Sequence, residues 1–212
     1  MFKSFASALT LAALVAVPTA SHAVIYTFNA SLAGSNEVPV GSGATATGTA
    51  ILDYDDKGTL TLADDTYNFS MSVFGLTGGT VAGTAASAFH IHGAATAAEN
   101  APVRVALDAA PFVALNSGST LLVGGNGVAA PTTLFVTPAS ATNVGYPALS
   151  FLDMLRAKLT YVNVHTALNP GGAVRGQLIE VSVVPEPSTY AMFLAGLGVV
   201  GLMLRRSAAR QD

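Results

Sequence analysis

From Tyr67 to Val73 every second residue is large and apolar: Tyr67, Phe69, Met71 and Val73, with Asn68, Ser70 and Ser72 between them. A period of two marks a strand with one buried and one wet face, because successive side chains leave a strand on opposite sides. Tyr26, Phe28, Ala30 and Leu32 repeat the pattern, as do Val103, Val105 and Leu107. Ala44 to Tyr54, Thr59-Leu60-Thr61-Leu62 and Val174 to Val183 read as further strands. Turn formers separate them, at Asn36-Glu37-Val38-Pro39, Asp53 to Gly58, Gly75 to Gly83 and Asn169-Pro170-Gly171-Gly172. About eight to ten short strands at this spacing predict an all-β domain, an antiparallel β-sandwich or Greek-key barrel. One segment breaks the period. Leu149, Leu152, Leu155 and Leu159 have helical spacing and predict one short helix near 148–158.

The two ends read differently. Residues 1–23 have the form of a secretory signal peptide, with Lys3, an apolar core from Ala6 to Val17, and Ser21-His22-Ala23 placing cleavage after Ala23. Residues 24–183 form the β domain and residues 184–212 a separate segment. In that segment Pro185-Glu186-Pro187 precedes an apolar run, Tyr190 to Leu204, and then Arg205-Arg206. The run predicts a hydrophobic helix barely long enough for a bilayer, with the arginines on the cytoplasmic side. Motif, helix and basic tail in that order resemble the PEP-CTERM sorting signal of Gram-negative bacteria. The resemblance implies export, recognition by exosortase-type sorting machinery, removal of the tail, and display in the cell envelope, at the cell surface or in an extracellular matrix of exopolysaccharide. Before processing, the C-terminal helix would make the membrane a partner.

Charge and cysteine content narrow the partners. Ten acidic residues stand against five basic ones between Val24 and Val184, with no basic cluster, which argues against nucleic acid. The absence of cysteine rules out disulfides and thiolate metal sites. A calcium loop at Asp53, Asp55, Gly58 and Asp64 matches some of the required positions. Lys57 stands where a ligand belongs, however, and the flanks are strands, so the segment reads as a solvated turn.

The chain has four histidines, and His22 lies in the leader. The other three fall in two strand-like runs, Phe89-His90-Ile91-His92-Gly93 and Tyr161-Val162-Asn163-Val164-His165-Thr166. His90 and His92 share one strand face, and Asn163 and His165 share another. If the two strands are neighbours, three imidazoles and an amide meet. Histidines two apart on a strand have Cα atoms about 6.5–7 Å apart and can converge on one ion. Copper or zinc would suit imidazole, with Asn163, Glu37 or water completing the set.

Asn36-Glu37-Val38-Pro39, the two histidine runs and Gly172-Ala173-Val174-Arg175-Gly176-Gln177 together resemble the CHRD domain, named for its occurrence in chordin. The order of the four motifs is the family's. Gly172-Ala173 departs from it, since the family more often has Gly-Glu there. The resemblance implies a β-rich extracellular module and names no chemistry.

The sequence leaves more than one function open. The first is a binding or structural module, with histidines bonded across strands, Arg175 paired with Glu37 or Asp108, and an exopolysaccharide or matrix protein as partner. The alternative is a metal-binding surface protein using His90, His92 and His165. An enzyme is the least supported. A two-metal dismutase needs more histidines than the chain has. Ser87 near His90 lacks a nucleophile elbow, and Asp64-Asp65 point to opposite faces if they lie in a strand.

Overall fold

The computed structural model describes residues 23–39, 44–78, 88–129, 146–181, 193–201 and 203. The leader 1–22, Ser87, the sorting residues Pro185, Glu186 and Pro187, and the stretch 130–145 lie outside the described residues. The strands are β1 (Ile25–Ala33), β2 (Thr47–Asp55), β3 (Thr66–Phe74), β4 (Phe89–Gly93), β5 (Val103–Ala106), β6 (Val113–Asn116), β7 (Thr120–Val128), β8 (Thr160–Val164), β9 (Val174–Gln177) and β10 (Ile179–Glu180). All pairings are antiparallel, in one ten-stranded sheet ordered β5-β4-β8-β9-β1-β2-β3-β7-β6, with β10 paired to β1. The sheet curls, so that inward residues of both halves join one core. Phe28, Leu52, Phe69 and Leu121 come from one half, and Phe89, Ile91, Val162 and Val174 from the other. This is the all-β architecture the alternation predicts.

The helix α1 (Phe151–Arg156) closes the core. Ser150 and Asp153 form a reciprocal capping box at its start, satisfying two otherwise orphaned donors. Phe151 then sits against the rings of Tyr54 and Tyr67, with centroids 6.2 and 5.3 Å away. Residues 193–201 are also helical, with exposed side chains. Among the described residues no helix is long and apolar enough to cross a membrane.

Two expected strands differ. Thr59 to Leu62 is turn, and Leu60 is fully exposed. β2 and β3 already pair directly from Thr47↔Phe74 to Asp55↔Thr66, which leaves the segment no strand neighbour. Its polar groups close on themselves instead. Lys57 and Gly58 take φ of 53° and 65°, and Thr59 Oγ1 donates to Asp64 at 2.9 Å. The acids of the supposed calcium loop are engaged elsewhere, Asp53 accepting from Thr27 of β1 at 2.7 Å and Asp55 binding Lys57 at 2.5 Å. The last strand is not continuous from Val174. It breaks at Leu178, where the chain passes from β8 to β1. Leu178 N donates to Thr160 O at 3.0 Å, and Val181 N to Thr27 O at 2.8 Å.

Candidate metal centre

β4 and β8 are neighbours, with His90 opposite Asn163 and His92 opposite Tyr161. β9 lies on the far side of β8, with Arg175 opposite Asn163 and Gln177 opposite Tyr161. Opposed residues share a face. One face of this part of the sheet therefore carries His90, His92, Tyr161, Asn163, Arg175 and Gln177. His165 follows two residues beyond Asn163 and is kept in line by its N–H, which donates to Ala88 O at 2.7 Å. Phe89, Ile91, Val162 and Val164 point the other way, into the core.

The three imidazoles meet. One ligand atom from each of His90, His92 and His165 lies within 4.8 Å of the others. Their ring centroids are 5.5 Å apart for His90–His92 and His90–His165, and 6.3 Å for His92–His165. His90 and His92 are buried and His165 is half-buried. His92 Nδ1 bonds Ala101 O at 2.8 Å, and His165 Nδ1 bonds Pro170 O at 2.9 Å. A carbonyl accepts only, so in each ring the proton sits on Nδ1 and Nε2 keeps its lone pair. His92 Nε2 is buried with no hydrogen-bond partner among the described residues. Burial, reinforced by the neighbouring histidines and Arg175, pushes His92 down to about 4, and burial also lowers His165. Both rings are then neutral at neutral pH, the form that binds a metal.

The rest of the face is covered by the strap Ala94–Ala101 and by the turn around Glu37. Arg175, only 1% exposed, donates from Nη2 to Thr96 O (3.0 Å) and Glu99 O (2.7 Å), and from Nη1 to Asn100 Oδ1 (3.0 Å). Its guanidinium also lies 3.4 Å from the centre of the Tyr161 ring. The other face of that ring stacks on His92, 4.8 Å away at 3°. The expected ion pair of Arg175 with Glu37 or Asp108 is not made. The guanidinium is committed to strap oxygens, and Glu37 acts on it only through the longer-range attraction of opposite charges. Glu37 is 4% exposed and accepts from Asn163 Nδ2 at 3.4 Å. Desolvation pushes its carboxyl up to about 7, against the pull of Arg175 and Asn163.

The structure thus brings His90, His92 and His165 together, places Asn163 on the same face, and sets Glu37 and Arg175 behind it. Glu37 is not in the cluster of converging ligand atoms. Sequence reasoning missed Tyr161 and Gln177. Counting in twos from Asn163 and from Arg175 finds both. The carbonyls of Ala101 and Pro170, which orient the rings, have no side-chain signal.

Comparison with protein-family models matches residues 28–178 to the CHRD domain and residues 183–207 to the PEP-CTERM protein-sorting motif. No curated protein and no solved structure matches the chain. The sorting motif carries export to the cell envelope of a Gram-negative bacterium and handling by exosortase-type sorting machinery. The CHRD match spans the curled sheet from Phe28 to Leu178, histidine face included, and the chain belongs to the CHRD domain family.

Proposed function

We propose that this exported protein binds one copper or zinc ion through His90, His92 and His165, at the cell surface or in the extracellular matrix. One observation carries the reading. One ligand atom from each of three imidazoles lies within 4.8 Å of the others, and two of the rings have Nδ1 turned to a backbone carbonyl, which leaves Nε2 as the nitrogen with a lone pair to offer. Metal-binding histidines characteristically donate their second nitrogen to such an acceptor, which fixes tautomer and ring orientation. Imidazole nitrogen suits copper and zinc alike. The buried Nε2 of His92, without a hydrogen-bond partner among the described residues, is a further fit, because a buried polar atom without a partner is costly unless something binds it.

The test is elemental analysis of the full chain, isolated without a polyhistidine tag, beside the variant His90→Ala/His92→Ala/His165→Ala. About one copper or zinc per chain, lost in the variant, is the expected result. A folded wild type that takes up neither metal after incubation with each would sink the reading.

A second reading has its own observation. A cleft of about 1080 Å³ adjoins the site along Asn29, Ser31, Asn36, Thr49, Arg175 and Gln177. In that reading the histidines tie loops to the sheet, and the cleft takes an exopolysaccharide or matrix-protein segment. Retained matrix association in the triple variant would favour it.

A further inference from the structure

We infer that Arg175 is a positioning residue for His92, acting through the strap Ala94–Ala101. Only the metal-affinity consequence rests on the proposed function; the control of the His92 ring does not.

The strap crosses the histidine face without secondary structure of its own. Its side chains are mostly methyl groups, Ala94, Ala95, Ala97, Ala98 and Ala101, too small to anchor it across its length. Ala95 N donates to Leu159 O at 2.9 Å and Tyr146 Oη donates to Glu99, but the carbonyl oxygens of Ala95, Thr96 and Glu99 are taken by polar bonds from β9. Gln177 Nε2 donates to Ala95 O at 2.9 Å, and Arg175 takes Thr96 O, Glu99 O and Asn100 Oδ1. Asn100 in turn donates to Val38 O at 2.8 Å. The next residue is Ala101, whose carbonyl receives His92 Nδ1 and whose N–H donates to Tyr161 Oη at 3.1 Å. Arg175 also reaches His92 through the ring stack, guanidinium on Tyr161 and Tyr161 on His92.

A buried guanidinium is costly, and this one has no carboxylate within ion-pairing distance among the described residues. Its donors instead fix one loop whose end orients one imidazole. Without the Ala101 acceptor a neutral His92 could carry its proton on either nitrogen, and the Nε2–H form hides the lone pair that would face the cluster. Lysine could keep the charge. It lacks the planar fork that spans three acceptors while stacking on a ring.

His165 supplies an internal control. Its acceptor, Pro170 O, belongs to a turn closed locally by Gly172 N to Asn169 O (3.1 Å) and Asn169 N to Thr166 Oγ1 (3.1 Å). No bond from Arg175 reaches that turn. Loss of the clamp should free His92 and leave His165 alone, whereas general loosening of the fold would move both.

The experiment reads imidazole nitrogen shifts by NMR at neutral pH, on the full chain in mild detergent without metal. In the wild type His92 and His165 should each be a single Nδ1–H tautomer. In Arg175→Lys, His92 should become a mixture while His165 is unchanged, and zinc affinity should fall about 10–100-fold. A folded Arg175→Lys whose His92 stays a single Nδ1–H tautomer overturns the inference. Should Arg175→Lys not fold, Asn100→Ala removes the Nη1 acceptor from an exposed position. It must then shift His92 in the same direction by a smaller amount, and an unchanged His92 overturns the inference. If the wild type takes no zinc but the tautomer shift appears, the metal reading fails and the positioning role stands.

Discussion

β3 and β8 lie in the same sheet and alternate apolar with polar residues, yet they use their second faces in opposite ways. The outward side chains of β3, Asn68, Ser70 and Phe74 among them, meet solvent. All five residues of β8 are buried, as are all five of β4. On the β3 side the polar residues are short and open to solvent, which can satisfy them. On the β8 side they are Tyr161 and Asn163, flanked by His90, His92, Arg175 and Gln177, and protein must supply their partners. An unpaired buried polar group costs about 1–3 kcal/mol, so a covered polar face persists only where a loop brings the missing acceptors and donors. The strap and the Glu37 turn bring many of them here, while His92 Nε2, Asn163 Oδ1 and Gln177 Oε1 have no partner among the described residues. Alternation decides which residues enter the core; it does not decide whether the other face is wet.

The largest expected effect comes from removing the residue that most depends on that cover. Arg175→Ala strands the oxygens of Thr96, Glu99 and Asn100, unstacks Tyr161, and leaves Glu37 without its opposing charge. The expected loss of stability is about 3 kcal/mol or more, measured by the denaturant midpoint at constant slope. A loss under about 1 kcal/mol would mean that water replaces the guanidinium easily, and the contrast with β3 would collapse.

The same contrast explains what could be read from the sequence. Tyr67, Phe69, Met71 and Val73 announced β3 because one face was wholly apolar and the other wholly polar or exposed. Ser150 and Asp153 mark the start of α1 by an ordinary cap pattern. The histidine runs were legible as strands, and their facing residues followed from parity. Their burial was not, because a polar residue at every second position looks the same under water and under a loop. Arg175 shows the gap most clearly. Its acceptors are mainly backbone oxygens of an alanine-rich strap, so no charged partner in the sequence points to it. Leu60 and Leu62 failed for the opposite reason: an alternating pattern is not a strand when no neighbour has a free edge.

Glu37 sharpens the comparison through pH. Its carboxyl rises from an ordinary 4.5 to about 7, chiefly because burial disfavours the charge. Arg175 from β9 and Asn163 from β8 face it, with Gly172 close on another side. Between pH 4.5 and 7 the folded protein keeps a proton that the unfolded chain has released. This group's contribution is therefore present below pH 4.5 and is lost as pH rises toward 7, by on the order of 1 kcal/mol per pH unit. His92 has the opposite sign, because its pKa is lowered from 6.5 to about 4, and its contribution is lost as pH falls through that window. The two oppose each other in the wild-type curve. Subtracting the curve of Glu37→Gln cancels His92, and the variant should gain on the wild type steadily from pH 4.5 to 7. A difference that stays flat across the window would place Glu37 in contact with water and remove the cover from that end of the site.

The smallest effect is expected on the wet face. Asn68 sits in an outward row with Thr27, Asp53 and Asn126, each opposite its neighbour across β1, β2, β3 and β7. It is exposed, the Thr27 hydroxyl already satisfies one oxygen of Asp53, and among the described residues no acceptor depends on the Asn68 amide. Asn68→Ala should change stability by less than about 0.5 kcal/mol, as surface substitutions away from caps and networks do. The same denaturant titration used for Arg175→Ala measures it. A loss near that of Arg175→Ala would show that the outer face of β3 is covered too. Both halves of the sheet would then be two-faced cores, and the exposed hydroxyl and amide row would need an occupant of its own.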